Sequence, residues 1–138
     1  MIRSGLHMAL AALGMFVSAA PAVAQDAAVD CTSPQTTYDM RICAGISLRA
    51  ADDDLNADYQ RAIAYFKEAD QYLPESAPKG EDLLHKAQRA WIAYRDAACE
   101  SEAAMFYGGT LQPLIVTGCH EEMTRNRSHE LRLLTEKN

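Results

Sequence analysis

Gln88-Arg-Ala-Trp-Ile-Ala-Tyr-Arg-Asp-Ala-Ala-Cys99 is the stretch that decides the fold. It holds the only tryptophan, a central arginine and one of four cysteines. At about 100° per residue, Leu84, Ala87, Trp91, Tyr94, Ala98 and Met105 fall on one apolar stripe, with Gln88, Arg95 and Cys99 along its flank. Such a stripe predicts a helix packed against other helices. Burial of Trp91 would then contribute on the order of 3 kcal/mol.

Downstream, the helix should run to about Tyr107, where Gly108-Gly109 breaks it and Thr110 is placed to cap the next segment. That last segment carries Leu111, Leu114, Ile115, Cys119, Met123, Leu131 and Leu134 at roughly helical spacing. Upstream, Glu81 and Asp82 put negative charge at the positive end of the helix dipole. Before them, Pro74, Pro78 and Gly80 crowd a breaker segment. A long helical pattern precedes it, with Leu48, Ala51, Leu55, Tyr59, Ala62, Ile63 and Phe66 at steps of three and four, ending near Leu73. Thr36 and Asp39 form a capping box for a short helix to about Ala44, which Gly45 should interrupt. No alternating strand pattern of useful length competes. The expected fold is all-α, a small disulfide-stapled antiparallel bundle of three main helices plus a short N-terminal helix.

The chain opens as a secretory signal does. Arg3 and His7 precede an apolar run from Met8 to Ala20, and Ala22-Val23-Ala24 offers small-x-small cleavage. The run is too short to span a membrane. Residues 1–24 are therefore expected to be a signal peptide, 25–30 a flexible lead and 31–138 one helical domain. Without Arg3, 12 basic residues face 19 acidic ones, a formal charge of −7 on residues 25–138. That balance argues against nucleic acid and suits a cationic partner.

An even number of cysteines in an exported chain argues for two disulfides. None forms a Cys-x-x-Cys pair, which argues against a thiol oxidoreductase or a zinc ribbon. Cys31 comes after Val29-Asp30, which is no lipobox, so a membrane anchor after signal cleavage is not expected and the location is periplasmic or secreted. Cys99 lies nine residues before Gly108 and Cys119 ten after Gly109, so a helical hairpin sets them level. Cys99 is thus expected to pair with Cys119, and Cys31 with Cys43 by elimination.

Catalytic patterns are weak. His120-Glu121-Glu122 has no His-Glu-x-x-His spacing and reads as solvated surface. The three aspartates at 52–54 lack the glycine and terminal glutamate of a calcium loop and read as a wet helix face. Neither Ser101 nor Ser128 sits in a nucleophile elbow. Arg95 and Arg127 read as internal ion-pairing or carbonyl-capping groups with packed stems. No catalytic residue, metal or cofactor is expected.

The ordered blocks Cys31…Thr36-x-x-Asp39-Met40-x-x-Cys43-Ala44, Asp52-x-x-Leu55-Asn56-x-x-Tyr59, Gln88-x-x-Trp91-x-x-Tyr94-Arg95-Asp96-x-x-Cys99 and Gly108-Gly109-Thr110…Cys119…Met123-Thr124-x-x-Arg127-x-x-x-Leu131 cover nearly all of residues 25–138. Together they resemble the lysozyme inhibitor LprI-like N-terminal domain family. The resemblance implies an exported, non-enzymatic helical protein that inhibits lysozyme or a related cationic wall hydrolase by protein–protein contact. In this light the stretch Phe106-Tyr107-Gly108-Gly109-Thr110 is the candidate for entering a sugar-binding cleft, with Tyr107, Gly108, Gly109 and Thr110 as the partner-binding set. The competing reading of that stretch is a tight interhelical turn with its aromatics packed inward. Gln88, Trp91, Tyr94, Arg95, Asp96 and Arg127 are expected to be structural. The alternative function is an envelope assembly module that binds another envelope protein or peptide.

Overall fold

The computed structural model describes residues 29–136. Three helices pack together: α1 (Thr37–Ala69), α2 (Gly80–Ala103) and α3 (Gln112–Glu136), with short 3-10 turns at Asp70–Tyr72 and Ala104–Phe106. No strand occurs among the described residues. The expected signal segment and most of the lead after it lie outside them.

Side-chain pairs fix the directions. Ser47 meets Glu121 and Asp58 meets Arg132, so α1 and α3 run parallel. Cys99 meets Cys119 and Gln88 meets Arg127, so α2 runs against α3. The bundle is up-down-up. α3 lies along α1 for most of its length, and α2 sits mainly on α3 with a thinner seam to α1.

α1 differs from the expected short helix, break and long helix. It is continuous through Gly45, and the expected short helix is its first two turns. A glycine inside a helix costs only about 1 kcal/mol. Here that cost is offset at both sides of Gly45. Thr36 Oγ1 accepts from Asp39 N–H (3.1 Å) and Asp39 Oδ2 accepts from Thr36 N–H (3.0 Å), closing the capping box. Two residues after Gly45, Ser47 is tied to α3.

The inward line of α1 is Ala51, Leu55, Asp58 and Ala62, a regular helical stripe with one carboxylate in it. Leu55 and Ala62 join Leu84 and Leu131 in the core, and Tyr59, Ile63, Phe66 and Trp91 pack around them.

On α2 the inward line is Leu84, Gln88, Cys99 and Ala103, with Trp91 and Arg95 partly covered. This corrects the expected stripe. Ala87, Tyr94 and Met105 face outward, and the polar flank of that stripe turns inward. The cause is α3, which pairs with each flank residue: Cys119 with Cys99, Thr124 with Arg95 and Arg127 with Gln88. Trp91 is only partly buried, so its contribution falls below the full-burial figure.

The start of α2 is capped from across the breaker segment. Asp70 Oδ1 accepts from Gly80 N–H (2.7 Å) and Oδ2 from Glu81 N–H (3.0 Å), satisfying two orphan donors of the first turn. Gly80 is needed for close approach, since a Cβ there would lie 2.5 Å from Phe66 Cδ1.

Candidate partner-binding end

The up-down-up arrangement brings the start of α1, the end of α2, the connection 104–111 and the start of α3 to one end of the bundle. That connection is tightly made. Tyr107 N–H donates to Ala104 O, Gly109 N–H to Phe106 O (2.9 Å) and Gln112 N–H to Gly109 O. Gly108 has φ +74°, a left-handed conformation that favours glycine, and its N–H donates to Gln112 Oε1 (2.9 Å). Thr110 does not cap α3; Gln112 reaches back and holds the turn instead. Pro113 sits in the first turn of α3, where its missing N–H costs nothing.

The backbone of the turn is thus satisfied internally while its side chains point outward. Met105 is 90% exposed, Tyr107 85%, Phe106 41% and Leu111 44%. The inward-packed reading of these aromatics is corrected: Tyr107 stands in solvent and Phe106 is only partly covered. Gly108, Gly109 and Thr110 are exposed with them. The other half of this end is the start of α1. Tyr38 and Ile42 are exposed there, and with Arg41 they form a hollow against Pro113 and Thr117 of α3.

Two disulfides brace this end. Cys31–Cys43 ties the entering chain to the second turn of α1 (Cα–Cα 5.4 Å). Cys99–Cys119 ties α2 to α3 just below the turn (Cα–Cα 5.5 Å), with Met123 Sδ 3.7 Å from Cys99 Sγ.

The remaining motif residues lie along the α2–α3 seam. Arg95 Nη1 donates to buried Thr124 Oγ1 (3.1 Å), and the guanidinium stacks 5.1 Å from the Trp91 ring. The same arginine pairs with Asp96 (3.0 Å) and lies 3.6 Å from Asp52. Arg127 donates to Gln88 Oε1 (3.1 Å) and Glu130 Oε2 (2.8 Å). These groups lock helices together; only Tyr94 among them is largely exposed.

Four polar clusters escaped the sequence reading. Asp58 is fully buried and accepts from Ser128 Oγ, Arg61 and Arg132. The signal was available: Asp58 lies three residues after Leu55 and four before Ala62, on the core stripe itself. Glu121, expected in solvent, accepts from Ser47 Oγ (2.5 Å) and Arg125 Nε (3.0 Å) and joins α1 to α3. His120, also expected in solvent, is half-buried with Nε2 3.6 Å from Asp96 Oδ1. At the α1–α2 seam Tyr59 Oη lies 2.5 Å from His85 Nδ1, and burial pushes the phenol up from its ordinary value. No group of three His, Cys, Asp or Glu side chains among the described residues is placed to hold a metal.

Three carboxyls lie below their ordinary values: Asp30, held down by the Thr32 hydroxyl and then the Thr32 N–H, and two that join elements of the bundle. Asp70 is lowered from 3.8 by the N–H groups of Glu81 and Gly80, and Glu121 from 4.5 by the Ser47 hydroxyl and then Arg125. Groups depressed on folding stabilise the fold fully above their unfolded values and lose that contribution as pH falls below them. Stability is therefore expected to drop on acidification through the range from 4.5 downward. Asp70→Asn should flatten that drop in melts recorded across acid pH; an unchanged acid slope would remove Asp70 from the account.

Comparison with known proteins matches this architecture to a family. The model of the family "Lysozyme inhibitor LprI" matches residues 29–131, from the lead before Cys31 to the core leucine of α3. The chain belongs to the lysozyme inhibitor LprI family. An uncharacterized protein of Rhizobium meliloti (strain 1021) is 42% identical over 120 residues, covering 85% of this chain and 86% of its own. The crystal structure of a DUF1311 family protein of Pseudomonas putida KT2440 shares the fold, with a TM-score of 0.60 at 24% identity, over 79% of this chain and 100% of the other. The LprI match takes in both disulfides, the α2–α3 seam and the exposed turn. No described helix is long and apolar enough to cross a membrane.

Proposed function

We propose that this LprI-family chain is an exported, non-catalytic protein that inhibits lysozyme or a related cell-wall hydrolase by seating its turn end in or against the substrate cleft. One observation carries the reading: in a member of a lysozyme-inhibitor family, Met105, Phe106, Tyr107 and Leu111 project from a rigid turn held by Gln112 and the Cys99–Cys119 bridge. A preformed tip loses little entropy on docking, and its aromatic anchors resemble the hot spots of protein interfaces. The signal-like residues 1–24 support export, and the charge of −7 on residues 25–138 favours encounter with a cationic hydrolase.

The test is a titration of oxidised residues 25–138 into lysozyme acting on cell walls, at low and physiological salt. Saturable inhibition is expected at both, weaker at the higher salt. Tyr107→Ala should raise the concentration for half-inhibition more than about tenfold with an unchanged circular dichroism spectrum. Full inhibition by that variant would displace the tip, and no inhibition by the parent protein would displace the function.

A further inference from the structure

Beside the tip lies a hollow of about 490 Å³ lined by Glu100, Gln112, Pro113, Val116 and Thr117. We propose that it receives one arginine or lysine side chain of the docked partner, with Glu100 as the counter-charge. The inference rests on the proposed function for the partner's identity, and on the hollow itself for its chemistry.

The lining fits a side chain that is apolar along its stem and cationic at its head. Pro113 and Val116 give an apolar wall for the methylenes. Thr117 Oγ1 donates its proton to Pro113 O (2.8 Å), which leaves the oxygen's lone pairs to accept. Glu100 supplies full negative charge. No basic residue lines the hollow.

Glu100 is not otherwise employed. It stands in the last turn of α2, at the negative end of the helix dipole, where a cation would stabilise the fold and a carboxylate does not. The last turn of α2 holds no basic residue, and neither Glu100 nor Glu102 has an ion-pair partner among the described residues. The amino end of α3 nearby makes no hydrogen bond to Glu100, and Pro113 removes one donor there. Arg41 lies across the ridge of Pro113 and Thr117, in the neighbouring hollow, and biases an incoming cation toward the Glu100 side.

The hollow is continuous with the tip. Gln112 both lines it and accepts the Gly108 N–H, so a partner that covers Tyr107 brings its adjoining surface over Glu100.

Nitrogen-15 spectra of oxidised residues 25–138 would be recorded against acetyl-Gly-Arg-Gly amide at millimolar concentration, and against the same peptide with neutral citrulline for arginine. The arginine peptide is expected to shift the amides of Glu100, Val116 and Thr117 saturably, the citrulline peptide to leave them unmoved, and Glu100→Gln to abolish the response. In parallel, Glu100→Gln should weaken lysozyme binding about fivefold at low salt, with the difference shrinking at physiological salt. Equal shifts with both peptides, no shift with either, or an unaltered response in Glu100→Gln would overturn the proposal even where lysozyme is inhibited. An intact Glu100-dependent arginine response in a protein that fails to inhibit lysozyme would uphold the hollow and remove lysozyme as its partner.

Discussion

Replacing Cys99 and Cys119 together by alanine is expected to lower unfolding free energy by about 3 kcal/mol and the thermal midpoint by on the order of 10–20 °C. The bridge closes a sequence separation of 20 across the exposed turn and so restricts the unfolded chain. Its loss also leaves a gap at a fully buried position against Met123. Removing Cys31–Cys43 releases a separation of 12, and the same relation gives a slightly smaller loss. Denaturant unfolding of the two double variants ranks them directly. A Cys99/Cys119 variant as stable as the parent would mean that the helix seam alone holds α2 to α3. Because the bridge brackets the turn, loss of the proposed inhibition is expected to accompany lost stability.

Leu131→Ala is expected to cost about 3 kcal/mol. Leu131 is fully buried on α3, in the cluster with Leu55, Ala62 and Leu84, where α1, α2 and α3 meet. Truncation removes transfer energy and leaves a cavity that three braced helices cannot close. Asp53→Ala and Asp54→Ala, on the exposed face of α1, should stay within about 0.5 kcal/mol of the parent. Chemical denaturation of the three variants tests the contrast. A mild effect at Leu131 would show that the core relaxes around the gap.

The helices themselves were legible in the sequence because their signals are local. Thr36 and Asp39 form the capping box their spacing announces, and the α1 stripe from Ala51 to Ala62 keeps the helical period. The inward face of α2 was not legible. Period alone favours Ala87, Tyr94 and Ala98, whereas the line that pairs with α3 runs through buried Gln88 and Cys99 and partly covered Arg95. A polar side chain can face a core only if a partner waits there, and Thr124 and Arg127 are some thirty to forty residues away in sequence. Gly45 failed as a break for the same reason, since contacts to α3 and the capping box outweigh a local propensity of about 1 kcal/mol.

The candidate site divides in the same way. The glycines, the flanking aromatics and Thr110 marked a turn, and the left-handed Gly108 is what such a pair is for. Whether Phe106 and Tyr107 cover the core or face solvent depends on what lies beneath them. In the folded chain Tyr107 is 85% exposed and Phe106 41%, so the aromatics face solvent. Glu100 gained its place only when the start of α3 was set beside the end of α2.

By itself the sequence determined three helices, the position of the turn and the negative charge, because hydrophobic period, capping chemistry, glycine freedom and ionisable side chains act over a few residues. The tertiary structure alone decided which face of α2 is buried, that Asp58 sits satisfied in the core, that Asp70 caps a helix ten residues away, and that an apolar tip adjoins a carboxylate-lined hollow. Each of these depends on a partner brought near by packing, and no local pattern along the chain encodes that proximity.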